Sequence, residues 1–249
     1  MLRLDRGAEH EPVDIDPGEA AEWLLGNDTG DEAVNRRTVR LYDFADADDA
    51  AGPGRASPRD RVTFADLGRM TCFAAQLTYE RAHLLMQLSR DVSWPQDLPR
   101  LDDCPQPDEA DPDAFIAHPG VERAHQLFRG FKDHSGLGSG TVSKLLHLKW
   151  PALFPVADSA FRRVYSRRAA QIHTASDALD GRRSDDGNIR AYWLAFRTDL
   201  ARNHDPLAEL PAQVHALVDG DVDALAHARR LAQLEPLRLL DMLAWRYGP

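Results

Sequence analysis

Residues 136–164 read GLGSGTVSKLLHLKWPALFPVADSAFRRV, and this stretch decides how the chain is understood. Gly136 and Gly138 bracket Leu137. Glycine tolerates positive φ and lets another backbone come close, so a phosphate can approach the amides of such a turn. Behind the turn, Thr141, Val142, Leu145, Leu146 and Leu148 follow the apolar spacing of a helix, with Lys144 and Lys149 among them. The amino end of that helix directs N–H groups and a partial positive charge at the turn, which makes it a natural anion site. In front of it, Val121, Ala124, Leu127, Phe128 and Phe131 repeat at helical intervals. The unit therefore reads helix, short glycine hairpin, helix. A single carboxylate, Asp158, follows at the end of a proline-stiffened link that contains Trp150-Pro151 and Pro155.

These residues resemble the helix-hairpin-helix segment of the DNA glycosylase superfamily typified by endonuclease III and the adenine glycosylases. There a hairpin of the form Leu-Pro-Gly-Val-Gly is followed by a Thr-Ala helix, then by Val-Asp-Thr-His and a downstream arginine. Here Ser135-Gly136-Leu137-Gly138 matches the hairpin, Thr141-Val142 the helix start, Val156-Ala157-Asp158-Ser159 the aspartate box and Arg163-Val164 the basic position. The resemblance spans roughly residues 115–168 of 249. It implies an all-α, glycosylase-like helical bundle, with Asp158 as the catalytic residue. It also implies duplex DNA as partner, its phosphates held by Gly136, Leu137, Gly138, Ser139, Gly140, Thr141, Lys144 and Arg163.

The chain departs from the family pattern in two places. Members that also cut the strand carry a lysine just before the threonine, where this chain has Gly140. The resemblance therefore implies monofunctional base removal with water as nucleophile and no lyase activity. In the aspartate box, Ala157 precedes Asp158 and Ala160 stands where the family has histidine. The hairpin of the family often holds a monovalent cation through backbone carbonyls, and no other cofactor is implied.

The 249 residues suffice for one large domain or two small ones with a substantial core. Cys72 and Cys104 sit in unrelated segments, so neither a disulfide framework nor a four-cysteine iron–sulfur site is expected. The histidines lack ligand spacing, and no metal site is expected. The first residues, MLRLDRGAEHEPVD, hold no apolar core of signal-peptide length, and no later run approaches a membrane span. The expectation is a soluble, cytoplasmic protein. A net charge of −10 argues against a general nucleic-acid coat. Between Lys144 and Arg168, however, Lys144, Lys149, Arg162, Arg163, Arg167 and Arg168 face only Asp158, which points to a local basic face on an acidic body.

Along the chain, residues 1–60 read as an acidic, partly irregular extension. It has one helix around Glu19 to Leu25 introduced by Pro17, an extended apolar piece at Val39 to Phe44, and a mobile loop from Ala45 to Pro58. Residues 61–249 read as the helical core. Thr63 and Asp66 have the form of a capping box before one long or two consecutive helices to about Leu88. A proline-rich surface connection follows from Trp94 to Pro112. A helix from Ser159 to Arg168 and a polar loop from Ser176 to Asn188 precede three helices, near Ile189 to Arg202, Asp221 to Leu234 and Pro236 to Tyr247. No convincing strand alternation is present.

Breaking an N-glycosidic bond builds positive charge on the sugar, so a fixed carboxylate stabilises the transition state and can orient water. Asp158 is the candidate, and capping the helix that starts at Ser159 is its structural alternative. The hairpin has an ordinary tight turn as its alternative, Lys144 a solvated face, and Arg163 a surface ion pair. Trp150, Tyr192, Trp193 and Trp245 are candidates for stacking an extruded base, against the commoner role of core residues. A helix-hairpin-helix module without catalysis, or a hairpin that is architecture alone, are the rival readings.

Overall fold

A two-stranded antiparallel hairpin opens the chain, with β1 (Leu2–Leu4) paired to β2 (Val13–Ile15) so that Leu2 lies opposite Ile15. The computed structural model describes residues 1–5, 12–25, 58–72, 75, 77–106, 112–134, 136–177, 179, 189–218 and 222–247. The extended piece at Val39 to Phe44 and nearly all of the loop read at Ala45 to Pro58 lie outside the described residues, as does most of the 176–188 segment. The hairpin corrects the expectation of no strand. Three-residue strands are too short for alternation to register in a sequence, yet Leu2, Leu4 and Ile15 are each buried.

Eleven helices follow among the described residues. They are α1 (Pro17–Leu25), α2 (Phe64–Cys72), α3 (Tyr79–Asp91), the single turn α4 (Asp113–Ile116), α5 (Pro119–Lys132), α6 (Ser139–Lys149), α7 (Ser159–Ala175), α8 (Ile189–Arg202), α9 (His204–Ala216), α10 (Val222–Leu231) and α11 (Pro236–Tyr247). The expected capping box is present at α2: the Thr63 amide donates to Asp66 Oδ2 at 2.7 Å and the Asp66 amide donates back to Thr63 Oγ1 at 3.3 Å. Pro17 and Pro236 open α1 and α11, where the missing N–H costs nothing.

Two helices were not expected, the single turn α4 and the longer α9. His204–Ala216 contains Pro206 in its first turn and Pro211 in its interior, and an interior proline removes a ladder bond at a cost of about 3 kcal/mol. Leu207, Leu210 and Val214 repeat on one face and are fully buried, and their burial outweighs that cost at about 1.5–3 kcal/mol each. The Trp94 to Pro112 connection is not all surface either, since Leu101 and Cys104 are buried under it.

The bundle is organised by a few contacts. α7 lies along α8, α11 crosses both, α1 packs on α9, and α6 is held between α2 and α5. Phe128, Phe154 and Trp193 meet edge to face at its centre. At the carboxyl end of α8, β1 is docked by polar groups. Asn203 Oδ1 accepts the Arg3 amide at 2.6 Å, and its amide nitrogen donates to the Arg3 carbonyl at 2.7 Å. Asp199 Oδ2 accepts from the Asp5 amide at 2.9 Å and from the Tyr165 hydroxyl at 3.2 Å.

Asp199 is fully buried, and desolvation pushes its carboxyl up to about 7, against the opposing pull of the Asp5 amide and Arg202. Unfolded, it ionises near 3.8, so the folded chain binds more protons between that pH and about 7. Its stabilising contribution is complete below 3.8 and is lost as pH rises through about 7. Urea denaturation is expected to show the wild type losing stability across this window, with an upper bound of about 4 kcal/mol. Asp199→Asn is expected to reduce that slope, leaving the part that Asp241 contributes up to about pH 6, and an unchanged slope in the variant would refute the assignment.

Candidate functional site

The turn between α5 and α6 follows from glycine at one position. Gly136 has φ +96°, in the left-handed region that an L side chain rarely adopts, and space is open around it. Gly138 is extended (φ −77°, ψ 152°), a conformation open to any residue, and it too meets nothing nearby. Leu137 between them turns inward and is buried, so only its backbone remains at the surface. Gly138 is the N-cap of α6 and offers no side chain to its first turn. The carbonyl of Gly138 accepts the amides of Thr141 at 3.0 Å and Val142 at 3.1 Å, which places Thr141 inside the first turn, half-buried, and not at the cap.

From there α6 runs almost wholly inside the protein, with every residue from Val142 to Lys149 buried. Its polar side chains are consequently committed. Lys144 points at Asp158, its Nζ 3.9 Å from Oδ2, and burial lowers its pKa against the opposing attraction of Asp158 and Asp241. His147 Nδ1 lies 2.7 Å from the Phe154 carbonyl. Lys149 is fully enclosed, with Nζ 2.7 Å from Asp66 Oδ2 and 2.7 Å from the Pro58 carbonyl. Lys149 thus does not belong to a basic face; it is an internal strut to α2.

Asp158 stands half-buried at the head of α7. Its Oδ1 accepts the amides of Ala160 at 3.0 Å and Phe161 at 3.2 Å, so the carboxylate is the N-cap of that helix. The first turn of α6 rests against it: a Cβ added at Gly140 would lie 3.6 Å from Asp158 Cα and 3.8 Å from its Cβ. Arg162 adds a second tie between the helices, donating to Ser139 Oγ at 2.5 Å while its guanidinium lies 5.4 Å from the Tyr192 ring centre. Arg163 and Arg167 are exposed on α7, and Arg168 is half-buried. Of the six expected basic residues, Lys144 and Lys149 are buried, Arg162 and Arg168 are half-buried, and Arg163 and Arg167 are exposed.

Beside Asp158 lies a shallow pocket, about 200 Å³ counting its open mouth, lined by Val156, Asp158, Phe161, Asp241 and Trp245. Its walls stand too close for a planar base to enter without movement of the side chains around it. Trp150 and Trp193 are buried in the core and do not reach it, whereas Trp245 does. Asp241 was not anticipated. It is buried on α11, accepts from Arg238 Nη1 at 2.6 Å and from the backbone of Val156, and burial pushes its carboxyl up to about 6. In sequence it is one acid within the apolar run Leu237–Trp245, and only the packing of α11 across α7 brings it to this place.

Among the described residues no three His, Cys, Asp or Glu side chains are grouped as a metal would need, and no helix is long and apolar enough to cross a membrane. The chain belongs to a family of unknown function (DUF6308), whose pattern it matches over residues 31–248. Neither a curated protein nor a solved structure matches it significantly.

Because Asn caps helices as well as Asp, substitution at position 158 separates structure from charge. Both variants take the counter-charge from buried Lys144 and are expected to lose stability, Asp158→Ala by about 1 kcal/mol more than Asp158→Asn because it also loses the cap. Gly136→Ala is expected to cost about 1–2 kcal/mol and Gly138→Ala much less, because only the former sits at positive φ. Chemical denaturation of the four variants checks both pairs, and equal losses at positions 136 and 138 would contradict the conformational argument.

Proposed function

We propose that this protein binds duplex DNA through a helix-hairpin-helix formed by α5, the 136–138 turn and α6, and that it removes a base by hydrolysis with Asp158. The observation that carries this reading is the juxtaposition of Gly140 and Asp158. An uncapped, surface-facing helix start, suited to a phosphate, is packed directly against a fixed carboxylate at the head of the next helix.

In this reading the amides of Gly138, Ser139 and Gly140 receive a phosphate, and Arg163 supplies an exposed cation from α7. Asp158 keeps its position because its Oδ1 is tied to two amides. Its negative charge then faces the positive charge that develops on the sugar as the base departs, and such preorganised electrostatics supply on the order of several kcal/mol. Lys144 is not a phosphate contact here. It is buried and directed at Asp158, so it sets the carboxylate's field from behind. Gly140 provides no amine, and water is the nucleophile. The α6 start and the pocket belong to one site, within the fold of a glycosylase-like bundle that acts on DNA and needs no metal.

A second reading is favoured by the narrowness of the pocket: the same helix-hairpin-helix without catalysis, recognising DNA alone. Titration against duplexes with and without a stable abasic-site analogue, at several salt concentrations, tests both. The proposal expects tighter binding to the abasic duplex, weakened by Arg163→Glu, with a log–log salt slope of about 0.9 per phosphate contacted. Base release is expected in the wild type and absent in Asp158→Asn, whose DNA binding persists. Borohydride is expected to trap no adduct; an adduct lost in Lys144→Arg would replace water by that amine. Absence of DNA binding even at low salt would end both readings.

A further inference from the structure

The start of α6 and the head of α7 meet at two points. At the first, Gly140 lies against Asp158, where an added Cβ would come within 3.6 Å of the Asp158 Cα. At the second, one turn further along α7, Arg162 donates from Nη2 to Ser139 Oγ at 2.5 Å. The Arg162 amide in turn donates to the Asp158 carbonyl at 3.0 Å, so the two residues are successive rungs on one face of α7. The start of α6 reads Gly138-Ser139-Gly140, and Ser139 carries its only side chain. That side chain is buried, and its hydroxyl is turned to α7. Lys144 also reaches Asp158 from one turn deeper in α6, but at 3.9 Å, longer than a hydrogen bond.

Arg162 is held from a second side. Its guanidinium carbon lies 5.4 Å from the centre of the Tyr192 ring on α8, and Tyr192 is half-buried. A guanidinium is rigid and planar, so one side chain can lie over a ring and bond a hydroxyl in a fixed direction. Arg162 thereby joins α6, α7 and α8. Its neighbour Arg163 is exposed and has no such place in the interior of the contact.

Resting on the reading that a DNA phosphate sits on the start of α6 and that Asp158 faces the sugar, we propose that Arg162 is a positioning residue of that site. By holding Ser139 it sets the distance between phosphate and carboxylate, and with it the alignment of Asp158 on the cationic sugar. The two functional groups lie on different helices, so neither helix alone fixes that distance. A phosphate and the sugar it carries are joined by a few bonds, and a shift of the α6 start is therefore passed on to C1′. Misplacing reacting groups by about 1 Å costs on the order of a hundredfold in rate. Arg162 itself touches neither phosphate nor sugar; it acts through Ser139.

The test is binding to two duplexes that require no knowledge of the target base. One carries a neutral tetrahydrofuran abasic analogue, the other a pyrrolidine analogue whose protonated nitrogen stands in for the cationic sugar. The ratio of the two affinities reads the alignment of Asp158. The wild type is expected to prefer the pyrrolidine duplex by about tenfold or more, and Asp158→Asn to lose that preference. Arg162→Gln is expected to lose most of it, with affinity for the neutral duplex within about threefold and an unchanged salt slope. The sign is informative, because removing a cation one turn from Asp158 would by electrostatics alone strengthen the attraction for a cationic sugar. Ser139→Ala is expected to reproduce the loss, and the double variant to lose no more than either single one, as for two partners in one contact. Ser139→Ala also carries the test should Arg162→Gln fold poorly, since it removes one hydroxyl and no charge. A preference that survives either substitution would overturn the proposal, as would additive losses in the double variant. A salt slope lower by about 0.9 in Arg162→Gln would make Arg162 a phosphate contact and overturn it too. A wild type that binds both duplexes equally would instead remove the parent reading of Asp158, and one that binds neither would remove DNA as partner, each taking this assignment with it.

Discussion

The constraint on which the structure depends is the burial of α6. A helix enclosed on nearly all sides must settle each polar group it carries, because an unpaired buried charge costs several kcal/mol. Lys149 is answered by Asp66 and the Pro58 carbonyl, His147 by the Phe154 carbonyl, and Lys144 by Asp158. These three contacts reach three different parts of the chain: α2, the link after α6, and the head of α7. The geometry of the site is therefore a consequence of core formation, and Asp158 cannot drift from the start of α6 without exposing or orphaning Lys144.

That constraint explains what could be read in advance. The helices at 189–202 and 236–247 were visible because their apolar residues recur at helical spacing between clear stops, and Thr63 with Asp66 announced α2. The glycine turn, the helix behind it and the capping position of Asp158 were legible for the same reason, since φ preference and capping act over a few residues. α9 was hidden by Pro206 and Pro211, whose local penalty is overcome only by tertiary burial of Leu207, Leu210 and Val214. Asp241 was hidden more deeply. Nothing local distinguishes it from a solvated acid at a helix surface, and its meaning arises from α11 crossing α7.

Charge was the least transferable inference from sequence. Lys144, Lys149, Arg162, Arg163, Arg167 and Arg168 form one basic run on paper, but helical geometry distributes them among directions. Lys149 and Lys144 turn inward, and Arg162 bridges Ser139 and the Tyr192 ring. Of the six, only Arg163 and Arg167 are exposed, both on α7. In the proposed reading, an acidic chain of net charge −10 that presents these two arginines attracts a polyanion locally and repels it at long range, so docking geometry counts for more than charge density.

In the proposed reading Asp158 serves both fold and chemistry. A carboxylate that caps a helix is commonly counted as structural, yet the cap ties only Oδ1 of Asp158. Oδ2 faces Lys144 and the side chain lines the pocket, so capping supplies the rigidity that electrostatic stabilisation requires. The narrow pocket then places the demand for motion elsewhere. Trp245 is its half-buried wall near the end of α11, four residues beyond Asp241, so in the proposed reading a base would have to displace the indole beside that carboxyl. Opening the pocket and hydrating Asp241 are coupled by that geometry, and hydration relieves the desolvation that raises its pKa.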